Sequence, residues 1–464
     1  MTRGPSTDKG LFAELQAEFS AEVERLSQLA ASQLSDPSGK GLATVELAIR
    51  TAVLKIGGSL LEGLLDFDSG HRGPRVDCGE GHQAEFSDYR EKTVDTVLGA
   101  VRLRRAYYNC PDCGHGRLPK DEDLGVVGSS LSPGLRRMVD RVGSQEPFTR
   151  GSRDLAELAG LHVTSKRVER SSEADGAKIL AAMEVEAEAV LAGKVVPLVG
   201  SVPIPKLYVA VDGTGVPTVS ADTEGRKGKS ADGRAHTREA KLGCLFTQTR
   251  LDNEGHPVRD PASSSYVATI TTAAEFGGVL YAEAQRRGCE RAEQLIVLGD
   301  GAPWIWNVAA EHLPRATQVT DYYHTLQHLN HLAEAAVPTG DDAARQWLAE
   351  RLAELDRGDI EALLDAAQQV DADAGQKLEI DKAANYFEVN RERMRYSRFR
   401  GMGLFVGSGT VEAGCKSLIA QRLKQSGMRW RVRGAAAIIS LRCQEASNRW
   451  EEIWEWIPRQ PKAS

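Results

Sequence analysis

The chain lacks any apolar run near the ~20 residues that a membrane-spanning helix needs, so a bilayer is not its expected setting. Its first residues, MTRGPSTDKGLFAELQAEF, are charged from the third position and lack the apolar core of a secretory signal, which makes the cytoplasm the expected location. Cysteine is scarce: seven residues, an odd number, over 464 positions argue against a disulfide scaffold. An excess of positive charge is also missing, since 58 Lys and Arg stand against 65 Asp and Glu. That balance argues against a surface coated in nucleic acid, except locally. Between Tyr386 and Arg433 eleven basic residues face only three acidic ones. What remains is ordinary: 41% apolar and 27% charged residues describe a soluble globular protein, and the length implies two to four domains of roughly 100 to 200 residues.

The pattern along the chain is uneven. Residues 10–35 place Phe12, Leu15, Phe19, Val23, Leu26 and Leu29 at helical spacing, a stripe that either packs on its own domain or pairs two subunits as a coiled coil. Next, KTVDTVLGAVRLRRAYYNC alternates as two strands turning at Gly99 and Ala100, with Val94, Thr96 and Leu98 on one arm and Val101, Leu103 and Arg105 on the other. The hairpin delivers CPDCG. Cys110-x-x-Cys113 is a metal knuckle, and CGEGH upstream offers Cys78 and His82 as a second pair for a structural zinc, with His115 competing for the fourth position. A redox pair would need a βαβ context, which this stretch lacks.

SRDLAELAGLHVTSKRVER has the form of a helix-turn-helix. Leu155, Leu158 and Ala159 would line the first helix, Gly160 make the turn and Thr164 cap the second, with Lys166, Arg167 and Arg170 facing outward toward DNA. Amphipathic helix pairs with basic faces also occur in proteins that never meet DNA. Beyond VPLVGSVPIPK the texture becomes α/β. LYVAVDGTGVP is expected to be a strand ending at Asp212, and EQLIVLGD one ending at Asp300. ATQVTDYYH follows as a strand, then about seventy mostly helical residues, then GSGTVEAGCKSLIAQRLKQSGMRW, a helix with Glu412 in its first turn.

Two strand ends and one helix start thus carry Asp212, Asp300 and Glu412, a set of hard oxygen ligands suited to Mg²⁺ or Mn²⁺. Three carboxylates that converge repel one another unless cations are present. Two ions roughly 3.5 to 4 Å apart would suit displacement at a phosphodiester. The plain alternative for Asp300 is a cap on the helix near Pro303. Asp321 and His324 either support the metals from behind or contact DNA, and Asp321 is also placed to cap a helix. Trp304 and Trp306 either pack in the core or form a platform for an unpaired base.

The order of strand Asp, strand Asp and helix Glu, with helices inserted before the Glu, resembles the DDE transposases with a ribonuclease-H-like core. The wording VAVDGTGVP, VLGDGAPWIWN, TDYYHTLQHL and GSGTVEAGCKSLIAQRLKQSGMRW is similar to insertion-sequence transposases of the ISKra group. Cys78 lacks the second nearby cysteine expected of a four-cysteine ribbon. The resemblance, which runs from about Gly70 to Trp450, implies an α/β fold; with the helical pattern of the N-terminus, the expected order is an N-terminal helical region (1–70), a zinc-ribbon-like module (71–125) and a helical DNA-binding region (126–198). A ribonuclease-H-like core would follow in two parts (199–329 and 404–464) around an all-helical insertion (330–403). It further implies metal-dependent cleavage and strand transfer at the ends of an insertion sequence, with element-end and target duplexes as partners. A homodimer or higher oligomer in the synaptic complex, and a place at the prokaryotic nucleoid, go with that activity. Phosphate contacts would come from Arg398, Arg400, Lys416, Arg422, Lys424, Arg429 and Arg431 around Glu412. The rival readings are a ribonuclease-H-like nuclease without strand transfer and a catalytically silent, domesticated DNA-binding protein.

Overall fold

The computed structural model describes residues 6–33, 41–194, 204–228, 231–338 and 341–457. The chain divides into two compact units, Met1–Lys178 with Glu451–Ser464, and Ile179–Trp450. No described helix is long and apolar enough to cross a membrane.

The first unit opens with α1 (Ser6–Gln33) and α2 (Gly41–Asp66), tied by Lys55 of α2 to Glu22 of α1 at 3.0 Å. Four antiparallel strands follow in the order β1 (Arg75–Asp77), β2 (Gln83–Thr96), β3 (Gly99–Asn109) and β4 (Gly116–Arg117). The turn of the β2–β3 hairpin is Val97–Leu98 rather than Gly99–Ala100, because Thr96 pairs with Gly99 and Val94 with Val101. The Thr96 hydroxyl closes the turn, donating to the Gly99 carbonyl at 2.8 Å and accepting from the Leu98 N–H at 3.1 Å. Leu98 therefore sits in the turn and not on a strand arm. Val94, Val101 and Leu103 bury one face of the hairpin against Val126, Leu61 and Leu65, the last two from α2.

Three helices pack next: α3 (Pro133–Gln145), α4 (Phe148–Asp154) and the N-terminal part of α5 (Ser165–Leu191). Ser132 caps α3 through Leu135 N–H at 3.2 Å, and Thr164 caps α5 through Arg167 N–H at 3.3 Å. Their shared core holds Leu135, Val139, Leu155, Leu161, Val163 and Val168. Gly160 takes the expected left-handed turn at φ 69°. Leu158 does not line this core: it is 78% exposed. The segment Leu155–Ala159 is a π turn, and its wider winding rotates Leu158 outward.

The second unit is built on a five-stranded mixed sheet of β5 (Ile204–Pro217), β6 (Thr237–Gln248), β7 (Ser265–Thr269), β8 (Ala292–Gly299) and β9 (Thr317–Thr320). Its spatial order is β9-β8-β5-β6-β7. β5 runs parallel to β8, and β8 to β9, whereas β6 is antiparallel to both β5 and β7. β5 does not stop at Asp212: pairing with β6 continues to Pro217↔Thr237, so the ladder carries the strand past the carboxylate.

Alternation divides the side chains of β5 between two faces. Leu207, Val209 and Val211 enter a core with Phe276 and Leu280 of α6 (Ala273–Arg286) and Ile305 and Trp306 of α7 (Pro303–His312). Tyr208 faces the other way and stacks on Phe246 at 4.8 Å, with Phe405 edge-on at 5.4 Å. Asp212 shares that second face by parity. After β9 come α8 (Tyr322–Ala336), α9 (Asp342–Arg357), α10 (Ile360–Gln368) and α11 (Ala374–Asn390), with a further short helix at Tyr396–Gly401. Helices α9, α10 and α11 begin at aspartate caps, Asp341, Asp359 and Asp373, each accepting a backbone N–H. The chain then returns through α12 (Gly409–Gly414) and α13 (Val432–Ala446).

A buried polar network joins α3 to α5 in the first unit. Arg136 pairs with Asp175 at 3.0 Å, Lys178 lies 3.3 Å from Asp175, and Ser172 donates to Asp140 at 3.2 Å. Burial pushes the Asp140 carboxyl well above the usual carboxylate range, and the neighbouring Asp175 adds to the rise. The folded state therefore holds this proton more tightly than the unfolded chain, and stability is lost as pH rises past the unfolded carboxyl pKa of about 3.9. D140N removes the ionisation while keeping a donor toward Asp175. Urea unfolding across a pH series is expected to show the variant more stable than the parent at neutral pH, the gap closing toward acid.

Candidate metal centres

The first centre lies at one end of the antiparallel sheet. β1 and β2 pair up to Asp77↔Gln83 and β3 and β4 up to Asn109↔Gly116, so each hairpin ends in a short loop and the two loops meet. One loop is closed by the Cys78 N–H on the His82 carbonyl at 3.0 Å, the other by the Gly114 N–H on the Cys110 carbonyl at 2.9 Å. Gly114 sits at φ 72°, a conformation that lets the knuckle fold back behind its thiols. Cys78, His82, Cys110 and Cys113 bring their donor atoms within 4.8 Å of one another, the four residues expected. His115 is outside this group; it is solvent-exposed and 3.9 Å from Glu80.

Cys78 and Cys113 hold their sulfurs 3.8 Å apart. That is far beyond a disulfide bond, but a tetrahedral ion with ~2.3 Å bonds to sulfur separates two thiolates by about 3.8 Å. All seven cysteines are free. Three thiols and an imidazole are a donor set suited to a closed structural zinc site.

The second centre lies on the sheet of the other unit. Leu298 of β8 pairs with Ala210 of β5, the last pair of that ladder; two residues further on stand Asp212, still in β5, and Asp300, just past the end of β8. Parallel neighbours at one level point to one face. The helix carrying Glu412 packs on that same face: a Cβ on Gly414 would lie 2.9 Å from Leu242, the residue paired with Asp212. Only a residue without a side chain lets α12 come this close.

The electrostatics agree with convergence. Burial raises the Asp212 carboxyl above its usual value, hydrogen bonds from the Cys415 thiol and Gly213 N–H pull the other way, and the negative charges of Asp300 and Glu412 add to the rise. Asp300 accepts the Ala302 N–H at 2.9 Å, which shapes the turn into α7 rather than capping its interior. The Tyr386 hydroxyl donates to the Asp300 carbonyl at 2.9 Å, and His328 stacks on the Tyr386 ring at 3.6 Å. Glu412 accepts the Ser408 hydroxyl at 3.1 Å. Directly after α12 the helix widens into a π turn, Cys415–Ala420, which brings the Cys415 thiol to Asp212.

Asp321 is both a cap and a member of the centre. Its carboxylate accepts the His324 N–H at 2.6 Å, starting α8, and also the Ser408 N–H ahead of α12. Asp321, His324 and Glu412 bring their donor atoms within 4.8 Å of one another, a second group able to hold a cation. Glu412 is thus within ligand reach of Asp321 and His324, and its charge also acts on Asp212; Asp212 and Asp300 are outside that group of donor atoms. His328, Tyr386 and His331 were not singled out from the sequence. The signal for the histidines is HTLQHLNH, whose 4 and 3 spacing sets His324, His328 and His331 along one side of α8. Burial lowers the pKa of His328, and the two neighbouring histidines lower it further.

The basic residues divide. Arg398, Lys416, Lys424, Arg429 and Arg431 are exposed, Arg431 lying 3.5 Å from Asp222. Arg400 is exposed and pairs with Asp356 at 3.1 Å. Arg422 departs from expectation: it is completely buried, with its guanidinium 5.0 Å from the centre of the Trp430 ring, and cannot touch a phosphate from there. In the helical region Lys166 and Arg170 are exposed, whereas Arg167 is held by Asp95 and by the Ser130 hydroxyl at 2.9 Å. Trp306 is buried and Trp304 packs edge-on to Phe276 at 5.9 Å, so both serve the core.

Residues 279–459, less than half of the chain, match the profile of an uncharacterised protein family, UPF0236. The matched segment spans Asp300, Asp321, His324 and Glu412 but not Asp212. No curated protein matches the chain. Among solved structures, the Drosophila P element transposase strand transfer complex matches at 11% identity over 55% of this chain and 68% of that one, with a TM-score of 0.19. An overall superposition that poor is a weak similarity and says nothing about this fold.

Proposed function

We propose that the chain is a DDE-type DNA transposase whose second unit is a ribonuclease-H-like core. The observation that carries this reading is the register that pairs Leu298 with Ala210, two residues short of Asp300 and Asp212, with the helix of Glu412 packed on the sheet at Leu242, the partner of Asp212. The strand order β9-β8-β5-β6-β7, with three antiparallel strands followed by two parallel ones in chain order, supports it. So do the helices between β9 and α12, in the place where the family resemblance expects an insertion.

Asp212, Asp300 and Glu412 would hold Mg²⁺ or Mn²⁺, with Asp321 and His324 able to complete or support the set. Two such ions when bound would supply an activated oxygen nucleophile and charge stabilisation at the phosphodiester. The chain's own part is placement. Ser408 orients Glu412, the Cys415 thiol orients Asp212, and the Tyr386–His328 stack holds the backbone at Asp300. Exposed Lys416 and Lys424 flank the centre and would neutralise strand phosphates.

Alanine at Asp212, Asp300 or Glu412 is expected to abolish Mg²⁺-dependent cleavage of element-end DNA while DNA binding persists. H324A should retain activity lowered about 10- to 100-fold, the usual effect of losing a supporting group. Full cleavage by E412A, measured on end-labelled duplex, rules out the assignment.

Zinc at Cys78, His82, Cys110 and Cys113 belongs to the same reading. Metal analysis of the purified protein should find about one zinc per chain for a four-ligand site. C110S is expected to lose the metal and the cooperative unfolding of its module, because binding and folding are linked in such sites. Unchanged zinc content in C110S removes the site.

Phosphate neutralisation and base readout should separate in titration. K416Q with K424Q is expected to weaken binding to every sequence and to reduce the salt slope by about one unit for each phosphate no longer neutralised. K166Q should instead narrow the preference for element ends over scrambled DNA. An unchanged preference in K166Q excludes that helix as the reader.

A further inference from the structure

Helix α2 carries two kinds of apolar surface, and only one of them is used. Val45 and Ala52 are buried, Leu61 and Leu65 pack on the β2–β3 hairpin, and Lys55 pairs with Glu22 and Glu18 of α1. A separate stripe remains. Leu42 is 62% exposed, Ile49 45%, Val53 61%, Leu60 43%, Leu64 52% and Phe67, just past the helix end, 41%. With half-buried Ile56 these residues fall within an arc of about 80° on a helix turning ~100° per residue, over a length of about 38 Å. Steps of three and four residues along it are those by which one helix seats on another.

The order of residues along the stripe identifies the occupant. Reversed about the midpoint between Leu54 and Lys55, six of its seven apolar residues fall in pairs: Leu42 opposite Phe67, Ile49 opposite Leu60, and Val53 opposite Ile56, while Leu64 falls opposite buried Val45. Its one charged residue, Glu46, falls opposite Gly63, where the absence of a side chain leaves room for the carboxylate to turn to solvent. A stripe whose paired residues face one another on reversal suits a two-fold axis, where each patch meets a second copy of itself. The area fits as well. At about half exposure, seven large apolar side chains offer roughly 600 Å² before any polar rim, close to the ~800 Å² that each partner gives in a standard interface.

We propose that α2 pairs with α2 of a second copy of this chain, antiparallel, with the two-fold axis beside Leu54 and Lys55. This stands independently of the catalytic reading. The Val53–Ile56 contacts lie nearest the axis, and Leu42–Phe67 closes each end.

Sedimentation of the full-length protein tests the pairing. The parent is expected to show a two-chain mass that falls on dilution. V53K with L60K should give the one-chain mass with an unchanged circular dichroism spectrum, because both positions face solvent in the single chain. A parent that is a single chain at every concentration, or a double variant that keeps the parent's mass, overturns the proposal. Disulfide crosslinking tests the direction and does not depend on the lysine variants folding. A mixture of I49C and L60C chains should crosslink under mild oxidation. I49C alone should not, because an antiparallel pair separates the two copies of residue 49 by about 16 Å along the axis, beyond disulfide reach. Crosslinking by I49C alone, or none in the mixture, overturns the antiparallel register. Capture of some other protein by this face with no self-association also overturns it.

Discussion

The second unit depends on one pairing, the parallel ladder that sets Leu298 beside Ala210. Because side chains alternate along a strand, a slip of one residue would turn either Asp212 or Asp300 into the apolar core under α6 and α7. The register is held by what lies on that core face. Leu207, Val209 and Val211 of β5 and Leu295 and Val297 of β8 are buried there together, and a slip would carry those of the slipped strand out of it. Burial of aliphatic residues on one face therefore positions carboxylates on the other. The cost is a set of like charges in a partly dry site, visible in the raised pKa of Asp212, which cations would relieve.

The sequence made the chemistry-bearing residues legible and hid much of their setting. The zinc ligands could be found because Cys-x-x-Cys is a local pattern, and the choice of His82 over His115 followed only once two hairpins brought their loops together. The caps at Ser132 and Thr164 and the turn at Gly160 are also local, being decided by one hydrogen bond or one backbone angle. Properties that depend on packing were harder to see. Leu158 faces solvent because a π turn changes the helical phase, and no residue pattern in LAELA announces it. Arg422 falls in a basic run, yet its helix turns it inward onto Trp430, which only the assembled unit decides. From the sequence Asp321 reads as a helix cap, a support for the metals or a DNA contact. The structure gives it the cap and sets it within reach of His324 and Glu412.

Glu412 shows how strongly its setting is determined by small residues and by irregular helix. Gly414 lets α12 approach Leu242, the π turn after it brings Cys415 to Asp212, and Ser408 before it holds the carboxylate. A regular helix with ordinary side chains would set this glutamate further from the sheet. Of the two π turns among the described residues, the one at Cys415–Ala420 lies directly after Glu412, in keeping with the frequent occurrence of such turns at functional sites.

The long helical excursion between β9 and α12 leaves and returns through a tight clasp. Tyr396, at its far end, shares a hydrogen bond with Thr325 at 2.8 Å and donates to the Thr320 carbonyl at 3.1 Å. Tyr322 N–H meets the Val406 carbonyl at 2.9 Å. With the neck fixed, the entropy of closing whatever lies beyond it grows only as the logarithm of its length. That slow growth leaves α9 and α10 free to differ in length at little cost, whereas α8 and α11 are bound by the Tyr386–His328 stack at Asp300.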